Sequence, residues 1–217
     1  MKSVLIIGLG RFGHHLTIEM AKQGNEIMIV DVEENQLTDL LPYATSSVIG
    51  DCTNPEVLES IGVNNFDICF VCIGTNFQSS LEITSLLKEM GAKYVVSKAN
   101  RDVHAKFLLR NGADEVVYPD RDIAEKAAMK YSANHVYDYI ELSDEYAIYE
   151  VPTPQIWDGK MIKEVNIRAK YHVNVLAVKK EGSTSLMPLA DYILKKDEHL
   201  MVVGKRQAVD QLLRLIK

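Results

Sequence analysis

The stretch from Ser3 to Asp31 constrains the fold of this chain more than any other. A short apolar run is followed by Gly8, Gly10 and Gly13, in the order Gly-x-Gly-x-x-Gly. An apolar run without polar alternation is typical of a parallel strand that is buried on both faces. Apolar residues at helical spacing come next, and a second apolar run ends at Asp31. This order of strand, glycine turn, helix and strand is typical of a nucleotide-binding unit.

Each glycine of the turn has a separate physical reason. Gly8 permits the tight turn out of the strand, Gly10 lets a phosphate approach the backbone, and Gly13 lets the helix pack against the strand. The free N–H groups and the dipole of the helix favour an anion at its start. Asp31 lies about 20 residues beyond Gly10, where a carboxylate accepts hydrogen bonds from a ribose diol and repels a 2′-phosphate. The unit predicts an adenine nucleotide site that disfavours NADP, without saying which nucleotide binds.

Strand and helix patterns alternate through residues 1–137. Gly24, Gly91 and Gly112 each lie just after a helical pattern and just before a strand pattern. Glycine tolerates the positive φ that ends a helix, so these glycines are predicted to cap the preceding helices. Six strands that alternate with helices predict an α/β domain with a doubly wound parallel sheet of the Rossmann type. A crossover helix at about residues 121–137 is expected to end this domain.

The remaining segment, residues 138–217, has a different pattern, in which strands follow one another with few helices. We predict strands at residues 173–179, 185–189 and 199–204, and a helix at about residues 159–165. The segment is expected to form a small α+β domain. It contains no obvious set of catalytic side chains.

Polar side chains follow several strands at their carboxyl ends, which line the ligand crevice of a parallel sheet. They are Arg11, Asp31, Asp51, Thr53, Thr75, Asn76, Lys98, Asn100 and Asp120. The guanidinium of Arg11, inside the glycine turn, can clasp phosphate oxygens at two points, which suggests more than two phosphates to neutralise. We expect Lys98 to assist it. For both side chains the alternative is a solvated position on the surface.

Asp120 has two interpretations. It follows Pro119 at the end of the sixth predicted strand, where its side chain is able to cap the next helix. Alternatively, its carboxylate faces the phosphates across a bound cation, because hard cations bridge carboxylate and phosphate oxygens.

Composition argues against several classes of protein. The formal net charge is −6, and no stretch is basic enough to predict nucleic acid as a partner. No apolar run approaches the roughly 20 residues of a membrane helix. A strand pattern begins directly after Met1 and Lys2, so we expect no signal peptide and a cytoplasmic protein.

The cysteines and histidines do not form a metal or redox motif. The cysteines are Cys52, Cys69 and Cys72, and the last two form a C-x-x-C pattern. Residues three apart in a strand point to opposite faces, so we interpret both as core residues in a reducing compartment. The six histidines form no His-x-x-x-His pair, so a zinc hydrolase has no support.

Seven stretches of the chain carry a family resemblance. They are Ile7-Gly8-Leu9-Gly10-Arg11-Phe12-Gly13, Val30-Asp31, Ala44-Thr45 with Val48-Ile49, Ile73-Gly74, Gly112-Ala113-Asp114, Tyr139-Ile140-Glu141-Leu142-Ser143-Asp144-Glu145-Tyr146 and Asn166-Ile167-Arg168-Ala169-Lys170-Tyr171. With them, essentially the whole chain resembles the regulator-of-potassium-conductance (RCK) family, most closely its Ktr-type cytosolic subunits. The last two stretches are far more specific than the glycine turn.

The resemblance implies an amino-terminal RCK domain that binds nucleotide, a smaller carboxyl-terminal RCK domain, and no enzymatic activity. Such subunits form dimers and an octameric gating ring beneath the membrane subunit of a potassium uptake system, at the inner face of the cell membrane. ATP activates the ring and ADP inactivates it, and NAD or NADH can also bind.

Residue roles follow from the same resemblance. The matching nucleotide contacts are Gly8, Gly10, Arg11, Phe12, Gly13, Asp31, Val32, Asp51, Cys52, Thr53, Ile73, Gly74, Asn76 and Lys98. Asp120 matches a site for Mg²⁺, Ca²⁺ or Na⁺ near the phosphates, although the family carries a glutamate there. A second ligand, inhibitory cyclic di-AMP, is implied at a dimer interface of the carboxyl-terminal domain. Its matching residues are Ile162, Ile167, Arg168, Asn174 and Pro188.

In that second site Arg168 would pair with a phosphate, and the aliphatic side chains would hold adenine. A local surface salt bridge is the alternative role for Arg168.

An NAD-dependent oxidoreductase is the alternative function, because many enzymes share this fold. Such an enzyme needs a substrate domain with an acid–base pair near the nicotinamide. No histidine or lysine of the short second segment stands out as that acid. A nucleotide or second-messenger sensor that acts on some other partner is a third hypothesis.

Overall fold

The computed structural model describes residues 1–132, 137–143, 145–180 and 183–216. The chain forms two compact units, Met1–Asp122 and Ile123–Lys217. The division falls inside one continuous helix, before the boundary expected at residue 137. Because the helix crosses the division without a break, no turn marks it in the sequence. The end of the expected crossover helix, residues 133–136, lies outside the described residues.

A six-stranded parallel sheet forms the centre of the first unit. Its strands are β1 (Ser3–Ile7), β2 (Glu26–Asp31), β3 (Ser46–Ile49), β4 (Ile68–Val71), β5 (Val95–Lys98) and β6 (Glu115–Val117). Their spatial order is β3-β2-β1-β4-β5-β6, so the order reverses between β1 and β4. All neighbouring strands are parallel. The predicted doubly wound α/β fold of the Rossmann type is therefore confirmed.

Six helices follow these strands. They are α1 (Arg11–Lys22), α2 (Glu34–Thr38), α3 (Pro55–Ile61), α4 (Phe77–Glu89), α5 (Asp102–Arg110) and α6 (Pro119–Ser132). Gly24, Gly91 and Gly112 have φ angles of 77°, 83° and 105° and each lies one residue after the C-cap of its helix. The prediction that these glycines cap the preceding helices is therefore confirmed. The last helix begins at Pro119 rather than at Arg121, because the fixed φ of proline suits the first turn of a helix.

The sheet of the first unit is buried on both faces. Leu5 belongs to the apolar cluster on one face and Ile6 to the cluster on the other. Cys69 lies in the first of these clusters and Cys72 in the second. The two cysteines therefore point to opposite faces, as predicted. Together with Cys52 they are free, buried thiols.

The three thiols are expected to be inert in the folded protein. Burial raises the pKa of Cys52, Cys69 and Cys72 to about 12. At pH 8 such a thiol is ionised to about one part in ten thousand, and the thiolate is the reactive form. Mass spectrometry after exposure to iodoacetamide at pH 8 should show no modification without denaturant and three modified cysteines in urea. Native modification at the rate of free cysteine would contradict this burial.

A five-stranded antiparallel sheet forms the second unit. Its strands are β7 (Asp138–Glu141), β8 (Tyr146–Pro152), β9 (Val173–Lys180), β10 (Ser183–Leu186) and β11 (His199–Lys205), in the order β10-β9-β11-β8-β7. Its helices are α7 (Ile162–Val165), α8 (Ile167–Tyr171) and α9 (Arg206–Leu213). Val165, Ile167, Val209 and Leu212 join the sheet residues in a single core cluster. The predicted small α+β domain is confirmed.

Several elements of the second unit differ from the sequence-based expectation. The strand expected at residues 185–189 ends at Leu186, because Met187 adopts a positive φ of 51° and leaves the ladder. The helix expected at residues 159–165 is shorter in the structure, where α7 covers Ile162–Val165. The helix α8 was not predicted; Asn166 and His172, both with positive φ, flank it and separate it from its neighbours. None of the described helices is both long and apolar enough to cross a membrane.

Glu150 is expected to make the second unit sensitive to acid. Its carboxylate accepts hydrogen bonds from Lys179 at 2.5 Å and His199 at 3.0 Å. Burial alone would raise the pKa of Glu150, but these two partners outweigh it and hold the pKa below its usual range. A lowered carboxyl pKa stabilises the fold above the unfolded pKa, and this contribution is lost as the pH falls through the folded pKa.

We expect Glu150→Gln to destabilise the second unit at pH 7 by about 1–2 kcal/mol. The difference from wild type should shrink towards pH 3. Urea unfolding followed by the fluorescence of Trp157, the single tryptophan, measures this unit. Glu145→Gln is the control, because its exposed pair with Lys205 should contribute little. A pH-independent difference between Glu150→Gln and wild type would show that charge is not the cause.

Candidate functional site

A cleft of about 630 Å³ opens at the carboxyl ends of the strands of the first unit. Residues that follow β1, β2, β3, β4 and β5 line it, so it includes the point where the strand order reverses. Doubly wound sheets bind their ligands at such a point. The volume falls within the range of about 300–1,000 Å³ that is usual for small-molecule sites.

The glycine turn forms one wall of the cleft. Gly8 has a φ of 88°, a left-handed conformation that favours glycine, and its N–H donates to the carbonyl of Val30 at 2.9 Å. A Cβ on Gly13 would lie 2.0 Å from the carbonyl oxygen of Gly8. A Cβ on Gly10 would meet nothing within 4 Å. Gly8 and Gly13 therefore shape the turn, whereas Gly10 leaves open space beside it.

Two cationic side chains in the cleft have no hydrogen bond or ion pair with any described residue. Arg11 is the first residue of α1, and its side chain is exposed. Lys98 ends β5 and is half-buried; its Nζ would lie 3.2 Å from a Cβ on Gly74. The first turn of α1 carries no acidic residue. With the N–H groups of the helix start, these two cations favour an anion such as phosphate.

Asp31 ends β2, next to the glycine turn. Its Oδ2 accepts a hydrogen bond from the N–H of Leu9 at 2.6 Å, and its Oδ1 accepts one from the N–H of Glu33 at 3.0 Å. These two bonds fix the orientation of the carboxylate. The side chain is only half-buried, and each oxygen keeps a lone pair with which to accept hydrogen bonds from ribose hydroxyls.

Asp51 and Cys52 follow β3 and line the cleft. The Oδ1 atom of Asp51 accepts hydrogen bonds from the N–H of Thr53 at 2.9 Å and from its hydroxyl at 2.8 Å. The backbone bond first, and then the hydroxyl bond, hold the pKa of Asp51 below its usual range. Thr53 does not itself line the cleft. Its two hydrogen bonds orient the Asp51 carboxylate and favour its ionised form.

The loops after β4 and β5 are joined across the cleft. Asn100 donates through Nδ2 to the carbonyl of Gly74 at 2.6 Å. Asn76 caps α4, because its Oδ1 accepts a hydrogen bond from the N–H of Ser79 at 3.1 Å. The amide group of Asn76 is then its remaining donor towards a ligand.

Asp120 also lines the cleft. It lies within the first turn of α6, after Pro119, so the first of its two interpretations, a helix N-cap, is wrong. In the part of the chain that the structure describes, no group of three or more His, Cys, Asp and Glu side chains could hold a metal ion.

Most of the residues predicted to contact the nucleotide lie along the cleft. They are Gly8, Gly10, Arg11, Phe12, Asp31, Val32, Asp51, Cys52, Ile73, Gly74, Asn76, Lys98 and Asp120. Gly13 and Thr53 do not line the cleft. Gly13 lies against the backbone of Gly8, and Thr53 is hydrogen-bonded to Asp51. Glu33 and Gln36 line the cleft and were not predicted. The sequence indicated their position only through the helical pattern directly after Asp31, since the start of this helix lies at the same edge of the sheet.

The residues expected to bind cyclic di-AMP occupy different environments in the second unit. Arg168 and Asn174 are exposed, and Ile162 and Pro188 are half-buried. Ile167 is only 3% exposed and lies in the core cluster, so its side chain is not free to hold adenine in this conformation. Arg168 makes no ion pair with a described residue, so the surface salt bridge considered for it does not form there.

The fold and the cleft define a Rossmann-type protein with a small appended domain. Residues 4–119 match the TrkA-N domain, and residues 146–217 match the TrkA-C domain. The chain is 37% identical over 203 residues to the Ktr system potassium uptake protein C of Bacillus subtilis (strain 168), covering 94% of this chain and 92% of the relative. It is 36% identical over 208 residues to protein A of that organism, covering 96% and 94%. The chain belongs to the RCK family, as a Ktr-type member with TrkA-N and TrkA-C domains.

Solved structures show the same fold. The RCK domain of GsuK superposes with a TM-score of 0.68 at 19% identity, covering 99% of this chain and 47% of that chain. The GsuK channel bound to NAD gives a TM-score of 0.68 at 19% identity, covering 100% of this chain and 39% of that one. The chain thus spans less than half the length of either structure.

Proposed function

We propose that this protein is a nucleotide-sensing regulatory subunit of a Ktr-type potassium uptake system, without enzymatic activity of its own. It acts in the cytoplasm, at the inner face of the cell membrane, on a membrane subunit that moves potassium. The named relatives, two potassium uptake proteins, support the partner. One observation supports nucleotide binding most directly: Arg11 and Lys98, two cations with no partner among the described residues, lie beside the open glycine turn.

The chemistry of the cleft supports an adenine nucleotide. Asp31 is held in place to accept hydrogen bonds from a ribose, and the two cations lie where the phosphates follow in a doubly wound sheet. The sensing mechanism is differential binding: a nucleotide shifts the assembly only if it binds one arrangement more tightly than the other. ATP favours the active ring and ADP the inactive one, because only ATP has a third phosphate for Arg11. NAD or NADH also fits the ribose and phosphate positions.

A cation completes the site in this proposal. Asp120 supplies one carboxylate, and Mg²⁺, Ca²⁺ or Na⁺ would take its other ligands from the phosphates and water. The nucleotide and the cation should therefore bind together. The protein forms dimers and an octameric ring, and cyclic di-AMP acts as an inhibitor at the second unit through Arg168, Asn174 and their neighbours.

Calorimetry with ATP, ADP and NAD tests the nucleotide, with and without divalent cation. We expect saturable binding of all three, with ATP most dependent on the cation. Light scattering in the same samples should give an octamer. No binding of any nucleotide would overturn the proposal, and a monomer under every condition would overturn the ring. Cyclic di-AMP titrated into wild type and Arg168→Ala tests the second ligand in the same way.

The oxidoreductase alternative is tested separately. Incubation of the protein with NADH and a panel of carbonyl compounds should leave the NADH absorbance unchanged. Turnover that depends on Asp31 would favour an enzyme over a regulatory subunit.

A further inference from the structure

The second unit contains a cavity of about 260 Å³ that the proposed function does not use. Tyr139 on β7 and Tyr149 on β8 form part of its wall, and the two residues are paired directly across the strands. Their rings lie 5.3 Å apart with planes tilted by 56°. Arg206, the first residue of α9, and Glu141 at the end of β7 also line the cavity. It is therefore aromatic and charged.

Three polar side chains of this cavity have no partner among the described residues. Tyr149 is only 4% exposed, yet its hydroxyl makes no hydrogen bond with any described residue. The side chains of Arg206 and Glu141 likewise make no hydrogen bond or ion pair with any described residue. Burial is the main cause that raises the pKa of Tyr139 and Tyr149, with Glu141 adding to it and Arg206 opposing it. Both charges therefore act on the two phenol groups that the cavity buries.

The charges around the cavity have both signs. Glu145 is neutralised by Lys205 at 2.7 Å and needs no ligand. Glu141 and Arg206 are one anion and one cation on different elements, a strand and a helix. Glu125 and Lys126, both on α6, add a further carboxylate and a further ammonium group to the lining. A ligand with a single charge would satisfy either Glu141 or Arg206 and leave the other. Aromatic faces beside a carboxylate attract ammonium groups, and a guanidinium binds a carboxylate at two points.

We propose that this cavity binds a small zwitterion that carries both an ammonium group and a carboxylate, of the amino acid or N-methylated amino acid class. The ammonium group lies against Tyr139, Tyr149 and Glu141, and the carboxylate is bound by Arg206. The volume lies below the range of about 300–1,000 Å³ for larger ligands, which limits the ligand to a few heavy atoms. No feature of the nucleotide cleft enters this proposal.

Equilibrium dialysis of the full chain against glycine betaine tests it. Choline lacks the carboxylate, and tert-butylacetate has the same shape as betaine but lacks the positive charge. We expect saturable binding of betaine, and binding of each analogue that is at least about tenfold weaker, since each loses one charge-assisted contact. A melting shift is not a suitable readout, because such osmolytes stabilise folded proteins generally. Glycine in a parallel experiment shows whether the methyl groups contribute.

Variants separate the site from general effects. Arg206→Gln should weaken betaine binding at least about tenfold and should not weaken choline binding, because choline has no carboxylate contact to lose. Arg110→Gln on α5, an exposed arginine of the first unit, is the matched control and should change neither. Circular dichroism melting checks that each variant is folded. The proposal is overturned if neither betaine nor glycine saturates, if choline binds as tightly as betaine, or if Arg206→Gln has no effect.

Discussion

Gly13→Ala is expected to destabilise the first unit by at least about 3 kcal/mol and to abolish nucleotide binding. The new Cβ would lie 2.0 Å from the carbonyl oxygen of Gly8 and 3.3 Å from the Cβ of Cys72. The first of these atoms belongs to the backbone of the glycine turn, so it cannot move like the end of a side chain. The helix α1 would have to shift away from β1, and the turn that receives the phosphates would shift with it.

Circular dichroism and Trp157 fluorescence together measure this effect. The circular dichroism signal follows both units, whereas Trp157 lies in the second unit. The melting temperature by circular dichroism should fall by on the order of 10 °C, more than the fluorescence transition does. A change below about 1 kcal/mol would mean that the turn accommodates a methyl group.

Gly10→Ala is the matched control for the fold. Gly10 has a φ of −58°, which alanine also adopts, and its Cβ would meet nothing within 4 Å. Stability should therefore change little. Nucleotide affinity should still fall, because the methyl group would occupy the open space beside the backbone where we place a phosphate. Unchanged affinity in a folded Gly10→Ala protein would argue against phosphate at this position.

Arg11→Ala is expected to weaken ATP binding about 10- to 100-fold and ADP binding less than about threefold. One charge-assisted hydrogen bond contributes about 1.5–3 kcal/mol, and about 1.4 kcal/mol corresponds to a tenfold change in affinity. The proposal assigns this bond to the third phosphate, which ADP lacks. Arg11 is exposed and makes no hydrogen bond or ion pair with a described residue, so its removal should not unfold the protein.

Calorimetry with both nucleotides gives the two ratios directly. Arg11→Lys keeps the charge but loses the two-point geometry, so its ATP affinity should lie between those of wild type and Arg11→Ala. Arg110→Ala, at the end of α5 and outside the cleft, should bind both nucleotides as wild type does. Equal losses for ATP and ADP in Arg11→Ala would contradict sensing of the third phosphate while leaving nucleotide binding itself intact.

Three regularities of the sequence determined most of the first unit. The apolar run before Gly8, the C-cap glycines and the alternation of strand and helix are local signals, and each depends on the backbone within a few residues. Since the carboxyl ends of parallel strands meet at one edge, the same signals also brought Arg11, Asp31, Asp51 and Lys98 together in advance. The sequence was therefore sufficient for the position of the cleft.

Only the tertiary structure decided the features that depend on contacts between distant segments. The burial of Ile167 in the core cluster of the second unit is invisible in local patterns. The cavity of Tyr139, Tyr149 and Arg206 is the clearest case, because strand register and a helix start more than 50 residues away bring these side chains together. Hydrophobic periodicity determines which face of an element is buried; which partner covers that face depends on the packing of the whole unit.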